Sequence, residues 1–162
     1  MAKVFPGRYA AKMEGPFVVF IIGFRVNRLF AFGKWVPVAK AMGPMIEELM
    51  ADRSLGFMHA EVSVAWRSVR IVQYWRSFED LHAYASARNA AHLPAWAAFN
   101  RSVGSDGTVG IWHETYAVPA GGYECIYANM PRFGLAMAGE HVPAVGRMET
   151  AQSRMGRESS AS

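Results

Sequence analysis

The sequence predicts an α+β fold whose elements follow the order β-α-β-β-α-β, the split βαβ pattern of a ferredoxin-like sandwich. Two observations support it. Four segments are rich in β-branched and aromatic residues, and two segments between them have the pattern of a helix. In such a sandwich, two helices cover one face of the sheet. The predicted strands are residues 16–27, 56–66, 69–75 and 108–118, and the predicted helices begin at residues 34 and 78.

The first strand segment, residues 16–27, is apolar on both faces. A strand that is buried on one face alternates between apolar and polar residues, and the stretch FVVFIIGF at 17–24 does not. Since the helices of a ferredoxin-like sandwich cover only one face, the other face of this strand needs a second cover. We therefore expect a homodimer in which two copies pack sheet to sheet across a two-fold axis.

Residues 34–51 follow with apolar residues at helical spacing. Gly43-Pro44 inside this pattern predicts a kink or a broken helix. Residues 56–66 then alternate, which indicates a strand with one more polar face, and residues 69–75 are its hairpin partner.

The next helix is predicted to start after Ser77, because Asp80 follows three residues later in a variant of the capping box. His92-Leu93-Pro94 predicts the end of this helix, and Pro94 can start another that reaches Arg101. After the fourth strand, residues 123–129 are predicted as a short fifth strand.

Composition limits what the chain can be. Of its 162 residues, 52% are hydrophobic and 19% are charged, which is too apolar for disorder and sufficient for one domain, residues 1–145. Residues 146–162 are small and polar, and we expect a disordered tail there. The net charge of +4 is modest and scattered, so we expect no nucleic-acid partner.

No segment predicts a membrane anchor or an export signal. The longest apolar run, residues 17–24, is far shorter than the roughly 20 residues that cross a bilayer, and we recognise no leader with a cleavage site. Cys125 is the single cysteine, which excludes an internal disulfide and suits a reducing compartment. These observations favour a cytoplasmic protein without a membrane partner.

Five sequence blocks resemble a known family. They are VVFIIGFRVNRL at 18–29, QYWRSFEDLHAYA at 73–85, HLPAW at 92–96, VGIWHETYAV at 109–118 and YECIYANMP at 123–131. Together they resemble the small bacterial and fungal family related to the monooxygenase of fumagillin biosynthesis. That family belongs to the dimeric α+β barrel superfamily, with the antibiotic-biosynthesis monooxygenases. The resemblance covers roughly residues 3–140.

The resemblance implies a monooxygenase-like oxidoreductase that acts on an apolar or aromatic, electron-rich small molecule. Superfamily relatives include cofactor-free monooxygenases and haem enzymes, and others do no redox chemistry. We favour a reaction without a cofactor. The alternatives are a haem-binding enzyme and a non-catalytic ligand-binding dimer.

His113 and Glu114 are neighbours on the fourth strand and must point to opposite faces of the sheet. Either can enter a cavity as a catalytic base or an orienting group, and either can instead be structural. A buried Glu114 would need a partner, for which Arg25, Arg70 and Arg76 are candidates.

His92, between two predicted helices, is the other catalytic candidate. In haem-binding relatives the axial histidine comes from the helix after the third strand, so the resemblance makes His92 the ligand if haem is bound. The structural alternative is a histidine that bonds the exposed carbonyl groups of a helix end. His59 beside Glu61 is expected to form a partly exposed pair.

The expected substrate site is an apolar pocket between the sheet and the helices. The aromatic residues that could wall it are Phe24, Tyr74, Trp96, Trp112 and Tyr116. Alternatively, these residues pack the core. No histidine pair has metal-ligand spacing and no GxGxxG motif follows a strand, so we expect no metal, nicotinamide or flavin.

Overall fold

The computed structural model describes residues 2–87, 101 and 103–156, apart from the side chains at 41, 42, 44 and 45. The break predicted at His92-Leu93-Pro94 and the helix from Pro94 lie outside these residues. The strands are β1 (Phe5–Lys12), β2 (Phe17–Val26), β3 (Phe57–Ala65), β4 (Ser68–Trp75), β5 (Val109–Val118), β6 (Tyr127–Met130) and β7 (Glu140–Pro143). The helices are α1 (Phe32–Ala51), α2 (Phe78–Ser86), α3 (Leu135–Ala138) and α4 (Ala151–Arg154).

Four strands form an antiparallel main sheet in the order β3-β4-β2-β5. The central strand β2 pairs with β4 on one side and with β5 along its whole length on the other. Because α1 connects β2 to β3 and α2 lies between β4 and β5, the element order is β-α-β-β-α-β. The predicted ferredoxin-like α+β fold is therefore confirmed.

Helix α1 is continuous from Phe32 to Ala51, so the helix is not broken at Gly43-Pro44. A proline inside a helix removes one backbone hydrogen bond. The burial of residues on both sides offsets this loss, since Val38 is fully buried in one part of the helix and Leu49 is buried near its end. Both residues belong to clusters that include side chains of the main sheet.

Helix α2 begins where the sequence predicts. The Ser77 Oγ accepts a hydrogen bond from the Asp80 backbone N–H at 3.0 Å and caps the helix. The Asp80 carboxylate accepts a further bond from the Arg76 Nε at 3.0 Å, and this interaction lowers the pKa of Asp80. Leu81 and Tyr84 form the buried face of the helix.

The core between the main sheet and the helices includes the fully buried Trp75. Its ring packs edge-on against Phe57, with 5.4 Å between ring centres, and is tilted against Tyr84 at 5.6 Å. The indole N–H donates to the Gln73 Oε1 at 2.9 Å, so the polar atom of this ring has a partner. This cluster fixes β4 against α2.

A second sheet, in the order β6-β1-β7, packs against the face of the main sheet that points away from α1 and α2. Ala11 of β1 and two residues of α3, Leu135 and Ala136, form a buried cluster with Phe17 at the start of β2. The chain itself therefore covers the first residues of β2 on this face. The sequence predicted a second copy as the cover of this whole face.

Strand β1 is not predicted from the sequence, since Pro6-Gly7 within it is typical of a turn. In the structure these residues form an irregular stretch of the strand, in which the Gly7 N–H donates to the Asn129 Oδ1 at 2.9 Å. Gly7 has a φ of +93°, which glycine adopts without strain. The partner strand β6 covers Tyr127–Met130 rather than the predicted 123–129.

The segment predicted as a disordered tail is structured up to residue 156, and that prediction is wrong for this part. It contains a 3-10 turn, Gly146–Met148, and α4. The Arg154 side chain is only 5% exposed. It donates from Nε to the Glu124 Oε1 at 2.7 Å and from Nη1 to the Met148 carbonyl oxygen at 2.8 Å. A partner 30 positions away cannot be recognised from the composition of the tail.

Replacing Gly56 by alanine should destabilise the start of β3. Gly56 has a φ of +78°, and a Cβ there would overlap the Asp80 carboxylate. Gly15, with a φ of +73° and no atom within 4 Å of its Cβ position, is a matched control. We expect Gly15→Ala to lower the free energy of unfolding by about 1 kcal/mol and Gly56→Ala by about 3 kcal/mol, measured by urea unfolding. Equal losses in the two variants would contradict the overlap.

Candidate functional site

The register of β5 assigns its residues to the two faces of the main sheet. His113 pairs with Ile22, which packs against the core under the helices. Glu114 pairs with Ile21, on the face that points away from the helices. We call these the helix face and the open face. His113 and Glu114 thus lie on opposite faces, as strand alternation predicts.

His113 is the only ionisable side chain that the four strands of the main sheet, all of them described, place on the helix face. The centre of its ring lies 5.7 Å from that of Phe20. Ile22 beside it is half-buried, and Ile111, two residues earlier on the same face, is 40% exposed. These side chains form an apolar surface that carries one histidine.

Glu114, on the open face, bonds a tyrosine rather than an arginine. The Tyr116 hydroxyl donates to the Glu114 Oε2 at 2.7 Å, and this bond raises the pKa of Tyr116. Arg25 and Arg76 donate to other side chains. Arg70 pairs with Gly23 of β2, whereas Glu114 pairs with Ile21. The expected arginine partner is wrong because Glu114 is exposed, where water screens its charge.

The aromatic residues predicted to wall a single pocket are divided by the main sheet. Phe24 lies on the helix face and is buried in the core. Tyr74, Trp112 and Tyr116 lie on the open face. These four residues cannot wall a common pocket, because alternate strand positions point to opposite sides of a sheet.

Trp112 lies against the open face because its strand neighbour is glycine. A Cβ on Gly23 would lie 2.9 Å from the indole Nε1 of Trp112, so only a glycine leaves room for the ring. Trp112 nevertheless remains 38% exposed, and Tyr116 on the same strand is 50% exposed. This part of the open face therefore keeps apolar area in contact with water.

Glu61 connects the main sheet to the segment that leads into α3. Its Oε1 lies 2.9 Å from the His59 Nε2, and the two side chains, Glu61 and His59, are 22% and 15% exposed. The same oxygen accepts a hydrogen bond from the Gly134 backbone N–H at 2.9 Å. The predicted His59–Glu61 pair exists, but the sequence does not reveal its third member, which is 73 residues away from Glu61.

Two tyrosines and the cysteine pack near this contact. Tyr74, Cys125 and Tyr127 belong to the cluster between the two sheets. Burial raises the pKa of both phenols and of the thiol, so all three groups stay protonated near neutral pH. The Cys125 Sγ also accepts a hydrogen bond from the Ala11 N–H at 3.2 Å. A protonated, bonded thiol of this kind is structural rather than nucleophilic.

The remaining candidates for a site are two predicted residues and, in the described part of the chain, one cavity. His92 and Trp96 lie outside that part. A cavity of about 160 Å³ lies near the end of α1 and is lined in part by Leu49, Arg53 and His59. This volume is well below that of an ordinary small-molecule pocket.

The described residues contain no group of three or more side chains that could hold a metal ion. None of their helices is long and apolar enough to span a membrane.

A sheet of this strand order with helices on one face defines a ferredoxin-like α+β protein. The chain belongs to the monooxygenase af470-like family, whose model matches residues 17–135. The matched region contains the whole main sheet and ends at the first residue of α3. The family resemblance identified from the sequence is confirmed.

Several solved structures are similar at low identity. SnoaB from Streptomyces nogalater, a cofactor-independent oxygenase, is 13% identical, with 62% of this chain and 90% of that chain covered and a TM-score of 0.46. A conserved Bacteroides thetaiotaomicron protein, described as a possible oxidoreductase, is 13% identical, with coverages of 64% and 99% and a TM-score of 0.40. A dimeric ferredoxin-like protein from an uncultured marine organism is 14% identical, with coverages of 65% and 96% and a TM-score of 0.38. No curated protein matches the chain.

Removing the Glu61 carboxylate should release the segment before α3. We expect Glu61→Ala to increase amide hydrogen exchange at Gly134, because the Gly134 N–H loses its acceptor. Glu61→Gln keeps an oxygen at the same place and should retain most of the protection. Unchanged exchange at Gly134 in the alanine variant would show that this bond does not hold the segment.

Proposed function

We propose that this protein is a small-molecule monooxygenase that acts on an apolar or aromatic metabolite at the helix face of β2 and β5. The observation that carries the proposal is the position of His113. It is the one ionisable group that the strands place on that face, beside apolar side chains. Membership of the monooxygenase af470-like family supports the class of reaction.

His113 acts in this proposal as the general base. An imidazole beside Phe20 and Ile22 can remove a proton from a weakly acidic C–H or O–H group of a bound aromatic substrate. A bound apolar substrate that covers Phe20 and Ile22 would exclude water from the resulting anion. The anion reduces dioxygen, and when a CH₂ group becomes a carbonyl group, one oxygen atom enters the product and the other leaves as water. The substrate supplies all four electrons.

No step of this reaction passes through a prosthetic group. The haem alternative requires His92, which lies outside the described residues. Among the described histidines, His59 is bonded to Glu61 and His141 is stacked on Tyr9, with 4.4 Å between ring centres. These contacts leave neither side chain placed as an axial ligand on the helix face.

Oxygen uptake with a panel of phenols and anthrones tests the proposal, with quinone absorbance as a second readout. His113→Ala should lower kcat by about a hundredfold or more, as expected for the loss of a general base, and added imidazole should restore part of the rate. His82→Ala, which removes an exposed histidine on α2, should leave the rate unchanged. Full activity of the His113 variant would exclude this role, and a Soret band in the purified protein would favour the haem alternative.

We further propose that a second copy of the chain covers the remaining part of the open face. Trp112 and Tyr116 leave apolar area exposed there. Arg25 and Glu114 are exposed on the same face with opposite charges. A two-fold axis brings each patch against its own copy, so a surface with both charges can pair with itself.

A charge placed at this interface should separate the two copies. We expect Trp112→Glu to shift the protein from dimer to monomer in sedimentation velocity at micromolar concentration, because the carboxylate would be buried without a partner. Val62→Glu adds the same charge at an exposed position of β3 that lies on the helix face of the main sheet. This variant should remain a dimer. A wild-type protein that sediments as a monomer would rule out this interface.

A further inference from the structure

Exposed aromatic side chains are concentrated at one end of the main sheet. Trp66, at the tip of the β3–β4 hairpin, is 89% exposed, and Phe30, in the turn after β2, is 90% exposed. Phe32, the first residue of α1, is 56% exposed. Single exposed apolar residues are common, whereas three large rings on adjoining segments indicate a binding surface. We call residues 27–32 and 65–67 the aromatic edge.

Hydrogen bonds join the two segments of the aromatic edge. The Val26 N–H donates to the Arg67 carbonyl oxygen at 2.7 Å. The Arg67 Nη2 donates to the Asn27 carbonyl oxygen at 2.9 Å. The hairpin tip and the turn after β2 therefore form one surface, and the exposed rings of both segments belong to it.

Trp66 occupies a backbone position that disfavours tryptophan. Its φ is +45°, in the left-handed region where glycine and asparagine are preferred. Burial of the indole does not compensate, because the side chain is in water. The fold of this chain gains nothing from a tryptophan here, which indicates a contact with something outside the chain.

The charge around the aromatic edge is positive. Among the described residues at this end of the sheet, the basic side chains are Arg25, Arg28, Lys34 and Arg67, and the acidic one is Asp106. Asp106 is paired with Lys34 and Arg25 lies on the open face proposed for the second copy, so Arg28 and Arg67 supply the positive charge of this surface. A partner that meets this surface should be apolar where the rings enter it and negatively charged around them.

We infer, in contrast to the expectation from the sequence of no membrane partner, that the aromatic edge docks on the surface of a bilayer that contains anionic lipids. Tryptophan and phenylalanine that project from turns enter the boundary between headgroups and acyl chains, and arginines beside them bind the lipid phosphates. The rings project separately from two tight turns and do not form one closely packed patch, which favours a lipid surface over a protein interface with a packed core.

Vesicle co-sedimentation of the full chain tests the inference, with phosphatidylcholine vesicles and with vesicles in which about a third of the lipid is phosphatidylglycerol. We expect stronger binding to the anionic vesicles. Trp66→Asn should lower the ratio of bound to free protein about tenfold, since one large side chain no longer enters the lipid. Arg28→Gln should lower it about fivefold on anionic vesicles alone. Phe78→Ala, at the start of α2 beyond the opposite end of β4, should bind like the wild type.

Thermal unfolding separates loss of docking from loss of the fold. Because asparagine suits the left-handed backbone at residue 66, Trp66→Asn should unfold at the same or a higher temperature than the wild type while it binds vesicles less. Three results would overturn the inference: equal vesicle binding by Trp66→Asn and the wild type, tighter binding to a single-stranded oligonucleotide than to anionic vesicles at the same salt, or dissociation of the protein into monomers on Trp66→Asn substitution.

Discussion

The arrangement of this molecule depends on the need to cover both faces of β2. This central strand pairs along its length with two neighbours and has apolar side chains on both sides. Each large apolar side chain removed from water stabilises the fold by about 1.5–3 kcal/mol. On the helix face, Val18 and Phe24 are buried under the helices. On the open face, Phe17 is buried under the second sheet, whereas the stretch near Trp112 is not covered within the chain.

The same alternation separates the proposed reaction site from the proposed contact with a second copy. Adjacent residues of β5 reach opposite faces, so His113 lies on the apolar helix face and Glu114 lies on the open face beside Tyr116. A site built on the helix face can use the histidine and cannot use the carboxylate. The open face has the exposed rings and the charges that suit contact with a second copy. The sheet itself keeps the two proposed sites apart.

The sequence was sufficient to predict the elements whose signals are local. The doubly apolar pattern of β2, the alternation of β3 and the Ser77 cap of α2 all depend on neighbouring residues. The second sheet and the Arg154–Glu124 contact were not predictable, because each depends on partners far away in the chain.

For the candidate site, the sequence correctly separated His113 from Glu114, since alternation follows from the strand alone. It did not establish which aromatic residues share a face. That grouping requires the register between β2, β4 and β5, and the register places Tyr74 and Trp112 on the side opposite Phe24. Local pattern identifies strands, whereas the members of a site are set by pairing across strands.

The proposed docking surface and the proposed reaction site both lie on β5 or against its first residues, and this last step rests on the proposed function. Thr108, just before the strand, accepts hydrogen bonds from the backbone N–H groups of Asn27 and Arg28 in the turn of the aromatic edge. Val109 and Ile111 follow on the helix face before His113, which lies about 17 Å beyond Thr108 at about 3.3 Å per residue. An apolar substrate concentrates in a bilayer rather than in water. An enzyme that docks with this end of its sheet would meet its substrate within a few side chains of the catalytic base.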